Sequence, residues 1–173
     1  MEKSRISIFP VRRSGYIILI ERFMPRDLPT RLVYLRQRRI FGRVAYYLLK
    51  VLGVEIPLSV SIGCDFELAH GGVGVVIHSR TVIGDRVKVY PGVTVGRADI
   101  YRPMEQSRFE GVIIEDDVIL SPGSKVLGKE GILRVRRGTV VGANAVLLES
   151  TGEGEIWVGI PAECVGKREF WLR

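Results

Sequence analysis

Residues 82–96 read VIGDRVKVYPGVTVG, and one spacing runs through them. Ile83, Val89 and Val95 stand six residues apart. Val87 and Val93 fill the position four places after Ile83 and Val89, and Gly84 and Gly96 directly follow an aliphatic residue. A period of six fits neither the 3.6-residue turn of a helix nor the strict alternation of a half-buried strand. The same spacing extends in both directions. Ile56, Ile62, Leu68 and Ile77 precede the stretch; Ile114, Leu120, Val126, Val135, Val141 and Leu147 follow it. Repeats of this kind build solenoids, because one repeat cannot bury its apolar face alone and stacked repeats can. Each hexad then forms a short flat strand and a corner. The aliphatic residue points inward, and the small residue beside it allows the tight bend. Three hexads close one coil of a triangular prism whose backbone groups pair from coil to coil.

Three departures from the period stand out. The first follows Leu68: Ile77 comes nine places later, and the glycine-rich GGVG just after His70 carries the extra residues. The largest lies between Val95 and Ile114, where polar and charged residues 97–111 predict a long excursion. A shorter break separates Val126 from Val135.

The chain has 173 residues, enough for one domain with a sizeable core. Its net charge is +7, but residues 1–50 carry ten Arg and two Lys against Glu2, Glu21 and Asp27, or +9, which leaves −2 for the rest. A basic N-terminal third implies an anionic partner or a solvated face of long cationic stems. Cys64 and Cys164 form no metal pattern or disulfide framework, and no secretory leader is evident, so the expected location is a reducing cytoplasm. Residues 32–52 predict one helix, or two with a break near Gly42. Val33, Arg36, Ile40, Val44, Tyr47 and Leu48 mark a stripe that Phe41, Ala45 and Leu52 widen, and Gly53 ends it. The domain expectation is a basic, mainly helical region 1–53, a solenoid 54–166 with loop 97–111, and a tail 167–173.

The segments VEIP, AHGGVGVVI, VIGDRVKVYPGVTVG, VGANAV and WVGIPAECVG, in this order, resemble the hexapeptide-repeat acyltransferases, and their serine acetyltransferase branch most closely. The resemblance implies a left-handed parallel β-helix over residues 54 to about 166, a homotrimer with sites between subunits, and acetyl-CoA as acyl donor. It implies His70 as general base, with Glu55 at the position of the supporting aspartate. Acetyl transfer from a thioester to a hydroxyl needs such a base, and histidine titrates near neutrality. A carboxylate on the other ring nitrogen would fix its tautomer. Loop 97–111 would lie over the site. Gly123, Ser124, Gly142 and Ala143 would let the pantetheine arm approach the backbone, and Lys167 is one of several cations near the C-terminal coils for the phosphates.

Three positions bear on the acceptor. Ala69 stands where the branch has an aspartate that binds the amino group of serine. Phe109 stands where it has a second histidine. Arg108 keeps the place of an arginine that holds the substrate carboxylate. A lost amine-binding carboxylate beside a retained base implies a changed acceptor, so the sequence favours a sugar or polysaccharide-type hydroxyl over serine O-acetylation, with a non-catalytic scaffold as the third reading. No nucleic-acid partner and no resident metal are expected; a zinc hydratase on this solenoid would need three histidines, and the chain has two. The basic N-terminal region suggests peripheral association with the inner membrane face or with a phosphate-linked intermediate.

Overall fold

A computed structural model describes residues 27–38 and 40–169. Sequence expectations for residues 1–26, Arg39 and 170–173 lie outside it.

The hexads form a parallel three-faced β-helix. The first face stacks β1 (Ser61–Ile62), β4 (Thr81–Ile83), β7 (Phe109–Ile114) and β10 (Gly131–Val135). The second stacks β2 (Glu67–Leu68), β5 (Lys88–Val89), β8 (Ile119–Leu120) and β11 (Val140–Val141), and is completed by β13 (Glu155–Gly159) and β14 (Ala162–Lys167). The third stacks β3 (Val76–Ile77), β6 (Thr94–Arg97), β9 (Lys125–Gly128) and β12 (Val146–Leu147), with Glu55 bridged in parallel to Val76 at its start. Every pairing is parallel except β13 with β14, which folds back as a hairpin and closes the last coil. β14 runs to Lys167, one residue past the expected solenoid boundary.

All thirteen aliphatic residues of the repeat are buried, from Ile56 to Leu147. The residues four places on are buried too, among them Val60, Val87, Val93, Val118 and Ala145. Each regular hexad therefore sends two side chains inward. At about 1.5–3 kcal/mol per buried aliphatic side chain, this column is the main source of stability. Where a glycine directly follows a strand, its size answers to the neighbouring coil. A Cβ at Gly63 would come 2.6 Å from the carbonyl carbon of Gly84, and one at Gly142 would come 2.8 Å from Val158.

A solenoid has an exposed edge at its first coil, and here side chains of a helix occupy it. Helix α1 (Leu28–Arg36) starts at Asp27, whose carboxylate accepts from the Thr30 amide and hydroxyl at 2.9 and 2.7 Å. Thr30 Oγ1 accepts from the Leu68 amide at 3.0 Å, and Tyr34 Oη from the Phe66 amide at 2.7 Å. Tyr34 also donates to the Gly63 carbonyl and Gln37 to that of Ile62. Arg36 is buried and donates to the carbonyls of Pro57 and Val60. Burial lowers the Arg36 pKa to about 10 and raises that of Tyr34 to about 12.

The helical region is two helices, with α2 (Gly42–Val51) following a break over residues 37–41. The break changes the phase of the stripe that the sequence suggested. Val33, Arg36 and Ala45 turn inward as expected, joined by Leu49, but Ile40, Phe41, Val44, Tyr47 and Leu48 face outward.

Candidate functional site

His70 sits at the corner between the second and third faces of the first coil. Pairing registers locate the irregularity there. The Gly92 amide donates to the Val73 carbonyl, the Gly123 amide to that of Pro91, and the Asn144 amide to that of Pro122. Val73–Gly74 therefore stacks on Pro91–Gly92 and Pro122–Gly123, and the three residues with no counterpart are His70, Gly71 and Gly72. The sequence placed the extra residues just after His70; the structure makes His70 the first of them.

The insertion bulges as a kinked turn over Ala69–Gly72 with three positive-φ residues in succession, His70 (φ 53°), Gly71 (φ 78°) and Gly72. Gly72 (φ 63°) lies so close to Leu68 that a Cβ would come 2.7 Å from its side chain. The bulge turns the His70 side chain out to solvent while Leu68 and Ala69 stay buried. Its ring lies 5.9 Å from that of Tyr90, at the same corner one coil on. Pro29 of α1 covers the other side, 3.6 Å from a Cβ at Gly71.

The expected partnership between His70 and Glu55 is not made in this chain. The Glu55 carboxylate pairs with Lys50 of α2 at 3.3 Å, and contacts with Tyr46 and Glu55 raise the Lys50 pKa. The physical reason is position: Glu55 opens the third face immediately below α2, so the nearest cation takes its carboxylate.

The excursion between β6 and β7 occupies residues 98–108, shorter at both ends than the expected loop, because Arg97 and Phe109 are strand residues. It leaves the corner between the third and first faces. The third face thus separates it from His70 within one chain. A cavity of about 570 Å³ at its root is lined by Asp99, Tyr101, Arg102, Arg108, Lys129 and Glu130, among others. Arg108 is exposed and pairs with Glu130 at 3.6 Å. Phe109 corrects the expectation of a substrate contact: its ring is buried, edge-on to His78 at 5.0 Å and under Gly128. A phenyl ring has no polar atom to hold outward, so it packs into the core instead. His78 is half-buried; its Nδ1 accepts from the Arg80 amide at 3.1 Å, and burial, then Arg80 and Arg97, lower its pKa. Ala69 is likewise buried, with a methyl group for its side chain.

The residues expected to line a groove for the acyl donor divide. Ser124 is fully buried at an inward hexad position, where its hydroxyl has no partner among the described residues. Gly123 and Gly142 owe their size to the chain itself, since Asn144 fills the space beside one and Val158 the space beside the other. Ala143 and Lys167 remain at the surface. Lys125, another candidate cation, donates to the Gly92 carbonyl at 2.6 Å.

No family model matches the chain. It is 35% identical over 134 residues to the serine acetyltransferase of Bacillus licheniformis, a match that covers 77% of this chain and 58% of that protein. The crystal structure of serine acetyltransferase from Vibrio cholerae superposes with a TM-score of 0.65 at 24% identity, covering 82% of this chain and 54% of that one. A serine acetyltransferase from Brucella abortus in complex with coenzyme A gives a TM-score of 0.61 at 23% identity, covering 79% and 53%. The chain thus spans less than two thirds of the length of each of these relatives. The chain shares the left-handed parallel β-helix of these structures, and its repeat resembles that of the hexapeptide-repeat acyltransferase superfamily. Within it, the branch that the chain matches is that of the serine acetyltransferases.

Proposed function

We propose that this protein is an acetyl-CoA-dependent O-acetyltransferase in which His70 is the general base. One observation carries the reading. Of the four corners between the second and third faces, only that of the first coil breaks the six-residue period, and the residues inserted there begin with an exposed imidazole. In the transfer, His70 removes the acceptor hydroxyl proton as the oxygen attacks the thioester carbonyl, and returns it to the departing thiolate. The acetyl C–S bond breaks and an acetyl C–O bond forms. For Glu55 to orient the imidazole, it must exchange Lys50 for His70 when substrates bind.

A homotrimer completes the site. In one chain, His70 and the 98–108 excursion lie at opposite edges of the third face; threefold packing sets the His70 corner of one copy against the loop corner of the next. Arg108 would then reach the acceptor from the neighbouring copy. The donor arm would follow the same seam past Ala143, with Lys167 toward its phosphates.

Serine is the acceptor that the relatives' names support. A sugar hydroxyl is the second reading, favoured by the buried methyl of Ala69 and the buried ring of Phe109, which leave neither a carboxylate nor an imidazole at those two positions. Thiol release from acetyl-CoA, measured with serine and with a panel of sugars, tests both. Turnover on serine equal to or above that on every sugar sustains the first reading and removes the second. Thiol release that needs no acceptor and survives His70→Ala would defeat the assignment of the base.

A further inference from the structure

Helix α2 is apolar on two sides. Gly42, Ala45 and Leu49 face the rest of the molecule and are buried. On the opposite side, Ile40, Val44, Tyr47 and Val51 are 84, 59, 65 and 84% exposed, and Phe41 and Leu48 widen the patch. Single exposed apolar residues are ordinary, but a continuous stripe on one helix face marks a surface that something covers.

The charge around the stripe is mainly positive. Residues 28–54 contain Arg31, Arg36, Arg38, Arg39, Arg43 and Lys50 and no aspartate or glutamate. Arg36 is used inside the fold, holding the first coil. Arg43 and Lys50 are exposed and, seven residues apart, stand together along one flank of the stripe, with Lys50 paired to Glu55 at 3.3 Å; Arg38 is exposed in the break before it. Lys50 lies 5.3 Å from the Tyr46 ring centroid.

We infer that the outer face of α2 is a docking surface for an anionic lipid bilayer. The apolar stripe enters the boundary between headgroups and acyl chains, and the flanking cations meet lipid phosphates. Ten residues make a helix about 15 Å long, half of what spans the hydrocarbon core, so α2 lies in the plane of the surface. Among the described residues, no helix is long and apolar enough to cross a membrane. A second copy of the chain fits the same face less well. Twofold pairing through α2 would bring Arg38 and Arg43 of two copies together, and the acid recorded beside α2, Glu55, is already taken by Lys50. A bilayer rich in acidic headgroups supplies that charge.

The inference does not rest on acyl transfer, and its test contains no acetyl-CoA. The full chain is sedimented with phosphatidylcholine vesicles and with phosphatidylglycerol-rich vesicles. The expected result is binding at least about tenfold tighter to the acidic vesicles, weakening as salt rises. The double variant Val44→Asp/Val51→Asp should lose at least about tenfold of that binding, with an unchanged melting temperature and solution mass. Equal binding to both vesicles, no binding, or binding that the double variant leaves intact overturns the inference. So does a variant that lowers solution mass without vesicles, which would assign the face to a second copy. A variant that lowers the melting temperature while the wild type ignores vesicles would assign it to another part of the same chain.

Discussion

Two corners of the same edge of the prism differ by three residues. Tyr90–Pro91–Gly92 turns from the second face to the third within the repeat; Ala69 to Gly74 makes the same turn with His70, Gly71 and Gly72 added. The regular corner is packed between neighbours, Gly92 under Gly74 on one side and against Gly123 on the other, with Cβ approaches of 3.5 Å. Its composition answers to the stack. The enlarged corner lies beside the helical cap, and there the chain departs from the stack without breaking strand pairing, since Val76–Ile77 still pairs with Thr94–Val95. A periodic fold can carry chemistry where one corner is free to grow. The regular corners carry stability, and the enlarged one carries an exposed imidazole.

The contrast is open to breakage from either side. His70→Ala should lower acetyl transfer on the order of 10²–10⁴-fold with an unchanged melting temperature. Deleting residues 70–72 should restore the six-residue phase, abolish transfer to the same degree, and move unfolding free energy by no more than about 1 kcal/mol in urea titration. A lost fold in that deletion would show that the insertion supports the cap. In the column, Leu120→Ala should cost about 2–5 kcal/mol in the same titration, with solution mass as a second readout.

The corner between the first and second faces gives a smaller effect. Asp117 (φ 60°) receives both Nε and Nη2 of Arg86 from the coil before it, at 2.7 and 2.9 Å. That bond, with Arg137 adding to it, holds the Asp117 carboxyl below its usual pKa, while the Arg86 pKa is raised. A carboxylate depressed in the folded state stabilises fully above its unfolded pKa of about 3.9 and loses that contribution as pH falls through the folded value. Asp117→Asn should therefore cost about 1 kcal/mol at neutral pH, and the gap to wild type should close in acid below pH of about 4. The smallest effect is a gain. Thr81 is buried with a hydroxyl that has no partner among the described residues, so Thr81→Val should stabilise by about 0.5–1 kcal/mol.

The inward column was legible because burial and period report the same thing: a residue that recurs every six places on a three-faced prism has nowhere else to point. Thus all thirteen expected positions are buried. The corners were less legible. Identity of the inserted residues depends on which amide meets which carbonyl one coil away, as Gly92 meets Val73. Ser124 and Phe109 were read as surface contacts, but Ser124 occupies the inward position four places after Leu120, a regularity that sequence alone contained. For α2, the stripe was visible and its direction was not, because the break at 37–41 resets the phase between two helices. The salt bridge that draws Glu55 away from His70 depends on where that helix docks.

The two ends of the column have a consequence for how far it extends. An open coil edge is a row of amides and carbonyls in register, a template that an identical coil could continue indefinitely. At the far end the β13–β14 hairpin turns the last strand antiparallel, which a parallel coil cannot extend. At the near end the hydroxyls of Thr30 and Tyr34, the Gln37 amide and the Arg36 guanidinium stand in for a strand. Side chains satisfy the edge yet offer no backbone ladder of their own. The second face is therefore a filament segment with both growth ends blocked, and its length is set by its terminators as much as by its repeats.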